Sequence, residues 1–281
     1  MKNRVYKVEI SLDKSEDISS AQCSCPKGIK CHHIAALLLF AHYNVSVTDK
    51  HSDYLTQKCA VSVSTIMDVV NKTVGQHKNE NWHFARKHRL TASNFGPVLS
   101  ACRRNRFPDS LYRSLIGVYN LDGVKAIQWG RTHESVALEN FTKATNLNVL
   151  PTGLWLTPTG FLGGSPDGLV GEDCIVEVKC PYSHRNDDLQ EKLKNTKSYI
   201  IYFNDDGELH INKQHHYYDQ VQSLLYILNR VQCYLVIWTL KGSVIAIIKK
   251  DLSWASNVTI LQSFYVNQYI PKLIENVYNV K

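Results

Sequence analysis

The longest apolar run in the 281-residue sequence, Ile34 to Ala41, is eight residues. A helix that crosses a bilayer needs about 20, so no membrane span and no membrane partner are expected. The opening MKNRVYKVEIS alternates polar and apolar residues and lacks the apolar centre of a secretory signal. An intracellular protein is therefore expected. Internal repeats and low-complexity tracts are also missing. Hydrophobic residues at 44%, aromatics at 10% and charged residues at 20% exclude disorder, collagen and coiled coil as descriptions of the whole chain. Acidic residues are the scarcer charge, 25 against 32 Lys and Arg, which leaves a formal net charge of +7. That surplus suits a polyanion such as nucleic acid.

Cysteine is unevenly spread. Of eight, five (Cys59, Cys102, Cys174, Cys180, Cys233) are scattered singly, whereas Cys23, Cys25 and Cys31 fall within nine residues. In an intracellular chain such a cluster points to metal rather than to disulfides. Cys23-x-Cys25-x5-Cys31-x-His33 supplies the four ligands of a tetrahedral, structural Zn²⁺ site, with Pro26-Lys27-Gly28 turning the chain between the two pairs. His32 is the rival fourth ligand, but the spacing of His33 from Cys31 mirrors that of Cys23 and Cys25. With its CSC-P-x-G opening and CHHIAALL close, the segment resembles the SWIM zinc finger. That resemblance implies a DNA- or protein-binding module over residues 1–43 and no chemistry.

Residues 4 to 12 alternate as a strand, and Asp13 to Ser19 is turn-rich, so a hairpin is expected before the cysteines. The chain starts almost on that strand, which is the expectation for a sequence with residues missing upstream. IAALLLFAHY reads as a short helix. Residues 44–80 are thinly hydrophobic and read as a linker, with one helix around Val61 to Val74. From Trp82 onward the pattern is mixed α/β, giving a second domain over 81–281.

The decisive stretch is FLGGSPDGLVGEDCIVEVKCP, residues 161 to 181. Ile175 to Lys179 reads as a strand with Glu177 and Lys179 on one face and Val176 and Val178 entering the core on the other. Gly171-Glu172-Asp173 reads as a three-residue hairpin loop. Pairing symmetric about Glu172 sets Asp167 opposite Glu177, with Cβ atoms roughly 5 Å apart. Two facing carboxylates repel unless a cation lies between them, and oxygen ligands suit Mg²⁺ or Mn²⁺. Lys179 on the same face is placed to hold a water and to stabilise charge on a phosphoryl oxygen.

Two helices offer support. Gly130 to Thr145 carries Glu134, Ala137, Leu138 and Phe141 on one stripe, so Glu134 is a carboxylate on the buried face and needs a partner. Glu139, about 140° away around an ideal helix, is expected in solvent. A helix near Tyr217 to Asn229 places Tyr217, Gln220, Leu224 and Ile227 inward and directs Gln222 elsewhere. On pattern alone, Gln220 is equally a structural hydrogen-bonder or a catalytic group.

Trp82-x3-Arg86-x2-Arg89-Leu-Thr-Ala-Ser93, Trp129-Gly-x3-Glu134, SPDG, EVKCP and Gln220-Val-Gln222, in this order, resemble the lambda-type phage exonuclease or YqaJ-like viral recombinase branch of the PD-(D/E)XK nucleases. The resemblance runs from about Trp82 to Thr239. It implies a restriction-endonuclease-like α/β core, a central mixed sheet flanked by helices, behind the small zinc module. It further implies two catalytic Mg²⁺ or Mn²⁺ ions held by Asp167, Glu177 and the Val178 carbonyl, with Glu134 as the helical carboxylate. Lys179 then matches the catalytic lysine and Gln220 the glutamine beside metal and water. Arg86 and Ser93 match the positions that hold a 5′-terminal phosphate, a role that suits an arginine fork and a helix start. Without the resemblance, Arg86 reads as one more solvated charge in RKHR. Arg185, six residues past Lys179, is a further candidate contact to the DNA backbone.

The activity implied is metal-dependent phosphodiester hydrolysis, 5′→3′ from duplex DNA ends, in recombination, repair or viral or transposon DNA processing. The family also implies a ring-shaped homotrimer and a single-strand annealing partner, and a eukaryotic source would imply the nucleus. The alternatives are an endonuclease or single-strand nuclease on the same core, and a catalytically silent adaptor in which the zinc finger does the binding. The stretch between Arg185 and Tyr217 is polar and long and does not align with the family pattern.

Overall fold

The computed structural model describes residues 8–12, 18–23, 61–117 and 123–273. The chain divides into one unit formed by Met1–Lys58 with Val266–Lys281 and another formed by Cys59–Tyr265. In the first, the alternating residues form strands β1 (Val8–Leu12) and β2 (Ile18–Cys23), paired antiparallel with Val8 opposite Cys23. Cys25, Cys31 and His33 lie outside the described residues, as does the run Ile34 to Ala41. Of Cys23 only its place at the end of β2 is described.

The second unit begins with α1 (Val63–Lys72), capped by Ser62, whose hydroxyl accepts from the Thr65 amide at 3.2 Å. Ile66 and Val70, one turn apart, bury against Leu154 and Leu156. Thr73 seals the joint, its hydroxyl accepting from the Leu154 amide at 2.7 Å. Residues 61–80, which read as the end of a linker, are thus packed into this unit. Val63 and Met67 on the same helix stay exposed, so its apolar content does not by itself reveal which side packs.

There follow α2 (Glu80–Arg86), β3 (Leu90–Thr91), α3 (Ala92–Arg103), α4 (Asp109–Ile116) and the long α5 (Lys125–Thr145). Strands β4 (Trp155–Leu156) and β5 (Leu162–Gly164) form a small sheet with β3, in the order β3-β5-β4. The main sheet uses β6 (Gly168–Val170) and β7 (Cys174–Lys179). After β7 come the short α6 (Leu189–Lys192), the hairpin of β8 (Ile201–Phe203) with β9 (Leu209–Ile211), and α7 (His216–Ile227). Strands β10 (Gln232–Thr239) and β11 (Gly242–Lys249) and helix α8 (Ser256–Phe264) close the unit.

The main sheet runs β11-β10-β7-β6. Its hairpins β6–β7 and β10–β11 are antiparallel, and β7 pairs parallel with β10. A parallel pair requires a long crossover, and residues 180–231 supply it. Helix α5 covers one face, with Ala137 and Phe141 against Val170, Val176, Val178, Val236 and Trp238. Helix α7 stands over the other, its Gln220 reaching Glu177.

The inward stripe read for α7 is a correction. Tyr218, Asp219 and Val221 to Leu225 are all buried, Gln222 at 0% exposure. Gln222 indeed points away from Gln220, but into protein: its amide nitrogen donates to Lys249 O at 2.9 Å and its oxygen accepts from the Asp251 amide at 2.8 Å. On a further side Asp219 accepts from Trp254 Nε1 at 2.9 Å. α3 crosses so close at Gly96 that a Cβ there would lie 2.7 Å from the Cα of His216. Only glycine fits that crossing.

Candidate active site

The site is built on the β6–β7 hairpin. Gly171, at φ 57°, opens the turn, and the pairing is symmetric about Glu172: Val170 with Cys174, Leu169 with Ile175, Gly168 with Val176. Because β6 begins only at Gly168, Asp167 is not held by the ladder. Its side chain reaches across instead, and Oδ2 accepts from the Val178 amide at 2.6 Å. The N–H and C=O of a strand residue face the same neighbour, so the Val178 carbonyl shares this open edge.

Glu177 is 2% exposed. Its Oε1 accepts from Lys179 Nζ at 2.8 Å and from Gln220 Nε2 at 2.5 Å. Its Oε2 is buried and has no hydrogen-bond partner. Burial first, then Glu177 and Glu134, push the Asp167 carboxyl well above its ordinary value, against the opposing effect of Lys179 and the Val178 amide. Burial and Glu177 likewise raise Glu134. Burial draws the Lys179 ammonium down, but Glu177 and Asp167 outweigh it and hold the lysine above its ordinary value. The Cys180 thiol is pushed up to about 12 by burial and by Asp167 and Glu134. Lys179 Nζ also stands 4.8 Å from the centre of the Tyr217 ring. The structure thus brings Glu134, Asp167, Glu177, Lys179 and Gln220 into one electrostatic unit, while Glu139 is exposed as expected.

Among the described residues no three His, Cys, Asp or Glu side chains already form a metal-ligand cluster. The donor chemistry nevertheless fits a hard cation. An orphaned, buried carboxylate oxygen is costly unless something charged or hydrogen-bonding completes it. Glu177 Oε2 is such an atom. Asp167, Glu134 and the Val178 carbonyl add oxygen donors alone, the preference of Mg²⁺ or Mn²⁺.

A second cluster has the opposite sign. Arg86, on α2, lies with its guanidinium 4.0 Å over the Trp82 ring. Nη2 donates to Thr91 Oγ1 at 3.3 Å. Burial alone lowers its pKa to about 10, so Arg86 is not the solvated charge that RKHR suggested. Thr91 is the N-cap of α3 but makes no side-chain cap, and Ser93, exposed in the first turn, lies at that open helix start. Trp82 joins this cluster to the hairpin, Nε1 donating to Ser165 Oγ at 2.8 Å. Ser165 was missed in the sequence although it stands inside SPDG, two residues before Asp167. Arg185 is placed differently: its side chain stacks 4.2 Å over Tyr182 and donates to Tyr182 O at 2.7 Å, both within its own turn.

A family model described as the YqaJ-like viral recombinase domain matches residues 81–230, and a SWIM zinc finger model matches residues 6–42. An alkaline nuclease of Autographa californica nuclear polyhedrosis virus is 25% identical over 232 residues, covering 75% of this chain and 52% of that protein. The chain therefore spans about half the length of the curated relative it matches. Among solved structures, an alkaline exonuclease (LHK-Exo) from Laribacter hongkongensis is 24% identical with a TM-score of 0.52, and LHK-Exo in complex with dAMP is 22% identical with a TM-score of 0.53. Each likeness covers 72% of this chain and 100% of the other, and shows a shared α/β fold. With the first model spanning more than half of its residues, the chain belongs to the family of YqaJ-like viral recombinase domains.

Proposed function

We propose that the protein is a metal-dependent deoxyribonuclease that hydrolyses phosphodiester bonds from the 5′ ends of duplex DNA. The observation that carries this reading is a carboxylate pocket short of a cation, the orphaned Glu177 Oε2 beside Asp167 and Lys179. The names of the relatives, an alkaline nuclease and an alkaline exonuclease, support it. Asp167, Glu177, the Val178 carbonyl and Glu134 are the groups that would hold Mg²⁺ or Mn²⁺. Such ions, when bound, make water a nucleophile at neutral pH and neutralise charge on the phosphoryl oxygens.

The chain's own residues do the positioning. Gln220 fixes the Glu177 carboxylate from above the sheet. Lys179 keeps its ammonium charged and has donors to spare for an attacking water and a phosphoryl oxygen. Arg86 and Ser93, at the open start of α3, hold the terminal 5′-phosphate, and Ser165 links that pocket to Asp167 by chain and by Trp82. Arg185 is kept as an outer backbone contact. The N-terminal segment binds structural Zn²⁺ through Cys23, Cys25, Cys31 and His33.

Digestion of linear, 5′-phosphorylated duplex DNA with Mg²⁺, beside a covalently closed circle, tests the reading. Progressive loss of the linear DNA is expected, abolished by Lys179→Ala, with the circle intact. Cutting of the circle would make the enzyme an endonuclease. Inactivity of folded wild type with either Mg²⁺ or Mn²⁺ would sink the nuclease reading.

A further inference from the structure

A lysine ammonium is a compact charge on a flexible four-carbon stem, so its surroundings must decide where it sits. At Lys179 the polar surroundings are shared. Glu177 Oε1, 2.8 Å from Nζ, also accepts from Gln220, and Glu177 is the residue proposed above to face a cation. A carboxylate engaged on several sides cannot by itself fix the lysine. Tyr217 approaches differently. Nζ lies 4.8 Å from its ring centre, inside the roughly 6 Å within which a ring face attracts a cation. The Lys179 side chain is only 17% exposed, and partial desolvation strengthens such an attraction. A ring face also leaves the N–H donors of the ammonium unspent.

The ring is itself held in place before any substrate arrives. His215, the N-cap of α7, accepts from the Tyr217 amide through Nδ1 at 3.1 Å. Its imidazole meets the Tyr217 ring edge-on, centres 4.8 Å apart. Tyr199 in turn packs edge-on against His215 at 5.6 Å. The Gly96 crossing fixes the backbone of the adjacent His216. Tyr199 and His215 come from the stretch that does not align with the family pattern, and here they buttress the ring.

We infer that Tyr217 is a positioning residue whose ring face holds the Lys179 ammonium over Glu177, so that lysine donors stay directed at the reacting phosphate. The inference rests on the nuclease reading above. It is carried by the ring and not by the hydroxyl, which separates it from a hydrogen-bonding role.

The test measures kcat and KM on linear duplex DNA at saturating Mg²⁺ for the full chain, Tyr217→Leu, Tyr217→Met, Tyr217→Phe and Lys179→Ala. Tyr217→Leu and Tyr217→Met are expected to lose about tenfold in kcat, ~1.4 kcal/mol, with KM little changed. Tyr217→Phe, which keeps the ring, recovers kcat to within about threefold of wild type. Thermal melting is run on every variant, and the methionine variant decides if leucine lowers the melting temperature. Wild-type kcat in both aliphatic variants overturns the inference, as does a phenylalanine variant as slow as they are, or a loss confined to KM. If Lys179→Ala is dead while Tyr217→Leu runs at full rate, this inference alone fails. If wild type shows no metal-dependent cleavage, the nuclease reading fails; if Lys179→Ala cleaves as well as wild type, the catalytic role of Lys179 fails; either outcome takes the inference with it.

Discussion

Two charged pockets in the same unit are incomplete in opposite ways. Around Asp167, Glu134 and Glu177, negative charge is in excess: burial and mutual repulsion raise the first two carboxyls, and one Glu177 oxygen has no partner. Around Arg86 the excess is positive: a half-buried guanidinium lies over Trp82, with desolvation as the cause of its lowered pKa. Trp82 and Ser165 tie the two together. On the proposed reading a cation would complete the first pocket and an anion the second, and a metal-bound phosphate chain would supply both.

The largest effect separates function from stability in the first pocket. Asp167→Asn keeps an acceptor for the Val178 amide and removes one repelling charge. It is expected to lower hydrolysis by about 10³-fold or more while stabilising the metal-free protein by about 1 kcal/mol in urea melts. A destabilised, metal-free Asp167→Asn protein would break the comparison. In the second pocket, Arg86→Ala is expected to erase a preference for 5′-phosphate over 5′-hydroxyl ends of about 10- to 100-fold, the scale of a charge-assisted hydrogen bond. Arg86→Lys restores only part of it, because an ammonium lacks the fork. Competition between the two end types in one digestion reads this out.

Packing can be varied without touching either charge. Gln222→Ala is expected to destabilise by about 2 kcal/mol, because Lys249 O and the Asp251 amide lose their buried partner. Its cleavage rate well below the melting transition stays at the wild-type level. The smallest effect is a pH slope. Asp167 and Glu134 have folded pKa values raised above their ordinary values of 3.8 and 4.5. Their contribution to stability is therefore complete below the ordinary carboxylate range and is lost as pH rises through the raised values. In magnesium-free buffer the melting temperature should fall as pH rises across that interval. Added Mg²⁺ should flatten the slope.

The first pocket was far more legible in the sequence than the second. A strand has period two and a three-residue loop has a fixed centre, so the Glu177 and Lys179 face and the placement of Asp167 followed from counting. Counting missed only that Asp167 precedes the strand and turns to the Val178 amide. Helical stripes worked where one side is wet, as in α5, where Ala137 is buried and Glu139 exposed. They failed in α7, which is enclosed by sheet, α3 and the segment at Asp251, so Gln222 could not be seen as buried. Arg86 sits in a run of basic residues whose burial depends on Trp82, Thr91 and Ser165, contacts across as many as 83 positions. No local pattern encodes those. Cys25, Cys31 and His33 lie outside the described residues, and the zinc reading rests on the ligand spacing and on the SWIM match.

The Gly171–Asp173 turn acts as a ruler. It lies about 13 Å along β7 from Glu177 and the residues beyond it, touches none of the reacting groups, and still decides which of them meet. Swapping Glu172 for another residue leaves the tally of the hairpin intact. Adding one residue to the turn shifts every rung by one, sends Asp167 away from the Val178 amide, and turns one strand's side chains to the wrong side of the sheet. The chemistry at one end of the hairpin is thus specified by an integer set at the other.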